Sequence, residues 1–288
     1  MRAFVLLVLA VAACVNGGAI FEPITTNYHE DIGIPEAARI KAAEEAFDSG
    51  ITSRIVGGSP ARLGEFPYQA GLVITLQSLR TSVCGASLLS NTRLVTAAHC
   101  LFDGTNFVRS VTVVLASTRL FHGGNRIDSN DFEIHEGYTT VRLNNDVAVI
   151  RIPSVMFTAN IQPIPRATGT NQFVGYDAIA SGFGRTSDTQ GITQNQFLSH
   201  VTVPVITNAL CAQTYGITVR DWTLCTSGEG GRNICGGDSG GPVVTYVNNQ
   251  RVLVNEFYHH ISTSFSTLRA IAAMFSSERA FLCLEVWN

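Results

Sequence analysis

Between Phe66 and Val247 the chain runs as short stretches of alternating or continuous apolar residues, each closed by a cluster of Gly, Pro, Asn, Asp or Ser. Runs of this length rich in Val, Ile, Leu and Thr predict strands. They cover Gln69–Leu76, Val83–Leu89, Arg93–Ala97, Val111–Ala116, Val147–Ile152, Ala178–Ser181, Val201–Ile206 and Pro242–Val247. No long helical pattern separates them, so the strands should pair antiparallel in barrels or sandwiches. Two stretches break the pattern. Pro35–Phe47 is rich in helix formers and carries proline at its start, which predicts a short surface helix. Asn208–Tyr215 predicts a second, capped by Asn208. A loop rich in Pro, Thr and Gly over Pro163–Gln172 divides the strand-bearing region in two. At the start, Met1-Arg2 and the apolar run Phe4–Ala13 predict a cleaved signal peptide over residues 1–18. The run is shorter than the ~20 residues a membrane-spanning helix needs, so the chain is expected to be secreted rather than anchored.

Composition narrows the class. With 288 residues, 45% hydrophobic and 14% charged, the chain can bury a large core and is not of the disordered kind. A formal charge of -3 with no basic run speaks against a nucleic-acid partner. Of seven cysteines, Cys14 leaves with the signal peptide, and Cys84, Cys100, Cys211, Cys225, Cys235 and Cys283 remain. Secretion makes disulfides permissible. Zinc is the competing use, but no Cys-x-x-Cys pair or paired-histidine spacing supports it, so neither metal nor cofactor is expected.

The chemistry gathers at Cys235-Gly236-Gly237-Asp238-Ser239-Gly240-Gly241-Pro242. A serine hydroxyl becomes a useful nucleophile only beside a base and beside dipoles that hold the oxyanion it creates. The glycines allow a tight turn in which the Gly237 and Ser239 amides converge next to the Ser239 hydroxyl. Taken alone, such a turn more often carries a solvated serine. Thr96-Ala97-Ala98-His99-Cys100 offers the base. Asn144-Asn145-Asp146 leads into the apolar run Val147-Ala148-Val149-Ile150, so Asp146 is expected to be partly buried and to need a donor such as an imidazole N–H. His29, His122, His135, His200, His259 and His260 lack such a setting and read as structural or solvated.

Together with Ile55-Val56-Gly57-Gly58 after Arg54, and with Ser181-Gly182-Phe183-Gly184, the order His99, Asp146, Ser239 resembles the chymotrypsin family of serine proteases, the standard template for this triad. The resemblance runs from about Arg54 to Val247 and is strongest to insect digestive chymotrypsin-like enzymes. It implies an all-β fold of two six-stranded antiparallel Greek-key barrels with the triad in the cleft between them. It implies disulfides Cys84–Cys100 and Cys211–Cys225. It also implies an activation pro-segment, residues 19–54, cut after Arg54 by a trypsin-like protease so that the new Ile55 ammonium pairs with Asp238; a permanent helical arm is the alternative. The resemblance further implies a pocket floor at Asn233, a neutral residue that would disfavour cleavage after Lys or Arg and favour large apolar side chains; an ordinary loop residue is the alternative. Expected partners are protein or peptide substrates, the activating protease and protein inhibitors of proteases, with no membrane partner and a monomeric state.

The resemblance fails beyond Val254. None of the 26 glycines lies after Gly241, and the Ser-aromatic-Gly wall of the pocket is missing. A protease domain over residues 55–254 is thus followed by an atypical tail, 255–288, either divergent or read in a lost frame, which would leave the second barrel incomplete. Two functions stay open: a secreted serine endopeptidase made as a zymogen, or a catalytically impaired binding homologue. Whether Cys235 pairs with Cys283 is open as well. Lys41 is the only lysine, so cleavage at Arg54 would leave ion pairs built on arginine, which fits an alkaline gut lumen.

Overall fold

The computed structural model describes residues 27–49, 59–140, 144–184, 197–216, 219–227 and 237–254. The expected signal peptide, the Arg54-Ile55 junction, Asn233, Cys235 and the tail from residue 255 lie outside the described residues.

The strand runs assemble into two antiparallel sheets. In the first, β2 (Gln69–Leu76), β3 (Thr81–Ser90), β4 (Arg93–Thr96), β5 (Val108–Leu115), β6 (Asn125–Ser129), β7 (Phe132–Ile134) and β8 (Ala148–Arg151) lie in the order β6-β5-β2-β3-β4-β8-β7. Strands β6 and β7 are two halves of one bent stretch. The first half pairs with β5 and the second with β8, so the sheet curls until its two edges belong to the same piece of chain. Counted that way the barrel has six strands, as expected. The second sheet joins β1 (Ser59–Pro60), β9 (Asp177–Gly182), β10 (Ser199–Ile206), β12 (Val243–Val247) and β13 (Gln250–Leu253) in the order β1-β10-β9-β12-β13, with β11 (Cys225–Thr226) paired to β10.

Strand β3 shows why its sequence reads as a nearly continuous apolar run rather than an alternation. Seven consecutive residues, Ser82–Leu88, are buried because one face closes the first barrel and the other is covered by residues 29–48 and the loop of Ser239. Leu72, Ile74, Leu88, Leu94, Val113 and Ile150 fill the first barrel. Ala178, Val203, Val243 and Val254 belong to the second. Val83, Val95, Val114, Phe183, Leu198 and Val244 form the apolar layer that joins the two.

Both expected disulfides are formed, Cys84–Cys100 and Cys211–Cys225. Both helices are present, each with one correction. Helix α1 (Ile34–Asp48), entered through a π-helical turn over His29–Gly33, is not a surface helix. Its Ala37 and Ile40 belong to the apolar layer between the barrels, and its Glu36 and Glu44 are buried. Helix α2 (Asn208–Tyr215) is capped by Thr207, whose Oγ1 accepts the Leu210 N–H at 3.2 Å. Asn208 instead donates through Nδ2 to the Arg220 carbonyl at 2.6 Å. Among the described residues no helix is long and apolar enough to cross a membrane.

Candidate active site

The loop that carries Ser239 is fastened to the first barrel. The Gly85 N–H in β3 donates to the Ser239 carbonyl at 2.7 Å, and the Thr96 hydroxyl at the end of β4 donates to the Gly85 carbonyl at 2.8 Å. Gly240 makes this approach sterically feasible. Its φ is +77°, and a Cβ there would overlap the Thr96 hydroxyl and lie 2.7 Å from the Gly85 carbonyl oxygen.

The same two strands position His99. Strand β4 runs into a 3₁₀ turn, Ala98–Cys100, and the disulfide from Cys100 returns to Cys84 in β3. Cys84, His99 and Cys100 crowd together in a way that could suggest a metal site, but the two sulfurs are bonded to each other and are not thiolates. Asp146 arrives from a turn in which Asn145 takes the left-handed conformation, φ +54°, which Asn tolerates better than most residues. The Asn145 side chain holds the turn by donating to the Gly137 carbonyl at 2.7 Å. Fully buried, the Asp146 carboxylate grips His99 twice: Oδ1 accepts the backbone N–H at 2.8 Å, and Oδ2 lies 2.6 Å from ring Nδ1. Such a grip favours a proton on Nδ1 and leaves Nε2 as the acceptor.

Asp238 lies one residue before Ser239, and its Oδ1 accepts the Gly184 N–H at 2.7 Å. Thus the segment Ser181–Gly184 meets the Ser239 loop. The structure therefore brings together His99, Asp146, Gly237, Asp238 and Ser239. Arg54, Ile55 and Asn233 fall outside the described residues.

Two residues of the N-terminal segment stand in the same place: Tyr28, which sequence reasoning passed over, and His29, which it read as structural or solvated. The Tyr28 ring lies 4.7 Å from the His99 ring, and the Tyr28 hydroxyl donates to the Val83 carbonyl at 2.8 Å. Burial raises the Tyr28 hydroxyl well above the usual phenol range, and the neighbouring Ser239 side chain draws it back down. The neighbourhood does not amount to an aligned hydrogen bond, since Ser239 Oγ and His99 Nε2 are both buried without a hydrogen-bond partner among the described residues. His29, next along, is fully buried, with Nδ1 2.8 Å from the Ser82 hydroxyl and its backbone N–H donated to Asp103 Oδ2 at 2.9 Å. Burial pushes the His29 ring down to about 4, against the pull of the Asp103 carboxylate. A lone Tyr-His pair carries no sequence signal for this position.

Comparison with known proteins gives the family. Residues 55–258 match the family model described as Trypsin. The chain is 40% identical over 209 residues to a protein named collagenase from Hypoderma lineatum, covering 71% of this chain and 76% of that one. It is 38% identical over 193 residues to brachyurin from Leptuca pugilator, covering 66% and 80%, and 33% identical over 215 residues to serine protease 1 of Drosophila melanogaster, covering 72% and 76%. A solved structure titled HL collagenase superposes with a TM-score of 0.62 at 36% identity, over 72% of this chain and 87% of that one. The chain belongs to the trypsin family of serine endopeptidases.

Proposed function

We propose that the chain is the secreted zymogen of an endopeptidase that cleaves peptide bonds through Ser239, His99 and Asp146. The observation that carries the reading is the double grip of Asp146 on His99, which leaves ring Nε2 as the one nitrogen available to a substrate-facing hydroxyl. In the reaction, Ser239 Oγ attacks the scissile carbonyl carbon while its proton passes to His99 Nε2. The carbonyl electron pair becomes an oxyanion, held by the Gly237 and Ser239 amides. Collapse of that intermediate breaks the C–N bond, and His99 gives its proton to the departing amine. Water then repeats the sequence on the acyl-enzyme, and Asp146 stabilises the imidazolium in both halves without taking a proton.

Activation follows from cutting after Arg54. The new Ile55 ammonium displaces the present arrangement of Asp238, whose carboxylate now accepts from Gly184, and sets the oxyanion loop. Neutral Asn233 at the pocket floor favours large apolar residues before the scissile bond. The relative named collagenase makes collagen a substrate to include beside model peptides.

Labelling by a serine-directed phosphonate tests the reading. The cut chain should be labelled at one site, and both Ser239→Ala and His99→Ala should lose labelling to nearly the same extent, because the pair acts as a unit. Undiminished labelling of the Ser239→Ala protein would overturn the assignment. Absence of labelling in the cut chain freed of residues 1–54 would favour an impaired homologue.

A further inference from the structure

The segment before the protease domain does more than precede it. His99 and Ser239 are only 3% and 2% exposed, and a site so closed admits no peptide. Tyr28 and His29 lie against them. Tyr28 covers the His99 ring and takes the Val83 carbonyl of β3. His29 adds two polar contacts on the same side of the cleft, to Ser82 and to Asp103. The Asp103 carboxylate is itself buried and otherwise serves its own loop, accepting from the Thr105 and Asn106 amides at 3.0 and 2.7 Å. A recognition site for a peptide N–H is thus already built, and His29 fills it.

The turn that follows is fitted closely. A Cβ on Gly33 would overlap the Ser82 hydroxyl that His29 engages and come within 3.0 Å of the Tyr28 ring. Beyond it, Glu36 approaches Gly237, and Ile40 enters the apolar layer between the barrels. Farther along, the Glu44 carboxylate receives the Leu120 and Phe121 amides at 2.6 and 3.1 Å and lies 2.7 Å from His122 Nδ1. Asp48 closes the series on Arg119 at 2.5 Å.

We propose that residues 27–48 form a built-in inhibitor that plugs the catalytic cleft with Tyr28, and that after cleavage at Arg54 the same segment binds back as a separate peptide. The occlusion stands on geometry alone; the return in trans rests on the zymogen reading above. Zymogen silence then has two independent causes, an unset oxyanion loop and a filled cleft, and only the first is removed by making the Ile55 ammonium.

The test follows the reactivity of His99 Nε2 towards diethyl pyrocarbonate, read peptide by peptide by mass spectrometry, with His135 and His200 as internal references. In the intact chain His99 should react slowly. Tyr28→Ala and, separately, Gly33→Ala should speed it at least about tenfold while the reference histidines keep their rates; acceleration of all three would mark global unfolding and remove that variant's support. In the cut chain freed of its own segment, His99 should react at the fast rate, and a synthetic peptide of residues 27–48 should restore protection, whereas the peptide with Tyr28→Ala should not. The native peptide should also inhibit hydrolysis competitively. Equal His99 rates in the intact, variant, cut and peptide-treated forms would overturn the proposal. If protection behaves as described but the cut chain hydrolyses nothing, the protease reading fails and the plug stands. If it hydrolyses and protection is flat, the plug fails alone.

Discussion

Replacing Glu44 by alanine isolates the anchor of helix α1. The carboxylate is buried and meets three donors, the Leu120 amide, the Phe121 amide and the His122 ring. Hydrogen bonds to a charged acceptor contribute about 1.5–3 kcal/mol each, and a buried donor left without a partner costs about 1–3 kcal/mol. Only the Leu120 amide belongs to a fully buried residue; Phe121 and His122 are partly exposed and can turn to water. The expected loss is therefore about 3 kcal/mol rather than the sum of three bonds. Because the helix is held by side-chain docking and not by a strand ladder, the loss should appear as local release. Amides over Ile40–Asp48 should then exchange with solvent roughly a hundredfold faster, at about 1.4 kcal/mol per decade, while β2 and β3 keep their protection. Glu44→Gln retains an acceptor oxygen and should lose about a third as much. A change below about fivefold in the alanine variant would show that the carboxylate does not hold the helix, and the area around Ile40 would have to account for docking.

Other outcomes follow from the same structure. Gly240→Ala forces a Cβ into the Thr96 hydroxyl at positive φ, which should cost at least about 3 kcal/mol, a fall of roughly 6–12 °C in the thermal midpoint; an unchanged midpoint would refute the close approach. Docking of residues 27–48 should depend on pH through His29, which is held neutral by burial down to about 4 and returns to about 6.5 on release. A base whose bound value is lowered stabilises the docked state fully above the free value and loses that contribution as pH falls towards the bound one. Ser82, Asp103 and His99 face it from neighbouring elements, and Glu30 from its own turn. Calorimetric titration of the synthetic peptide into the cut chain should thus show about thirtyfold weaker binding at pH 5 than at pH 7.5, and equal or tighter binding at pH 5 would refute it. Arg54→Gln should leave the chain silent towards a peptide substrate after treatment with trypsin, and full activity would remove the zymogen reading.

Strand β2 was legible to the residue because an apolar run between turn signals has few alternatives, and the surroundings of His99, Asp146 and Ser239 were legible because each motif couples a reactive side chain to the backbone that must hold it. The polar stretch Asn125–Arg126-Ile127-Asp128–Ser129 was not, since β6 is exposed on most of its length and owes its place to β5 rather than to its own pattern. Helix α1 was found but read as a surface helix, whereas one of its faces is buried. Acids at positions 36 and 44 ordinarily mark a solvated face, and here they flank Ile40 on the buried one. What permits this is not visible in the helix: Glu44 is satisfied by backbone amides more than seventy residues away, and Glu36 by Arg39 one turn on. Thr207 rather than Asn208 caps α2 because the Arg220 carbonyl, supplied by a distant loop, claims the asparagine.

The only covalent tie between the inhibitory segment and the protease is the peptide chain, for the sequence has no cysteine between Cys14 and Cys84. A short covalent link of this kind holds a ligand at an effective concentration of the order of millimolar. Cutting after Arg54 alters none of the contacts made by Tyr28, His29 or Glu44, but it changes their reference from the length of a linker to the number of molecules per volume. The freshly cut enzyme should consequently be quiet where it is stored densely and grow active as it is diluted, so that secretion itself, by spreading the products apart, completes what the cut begins.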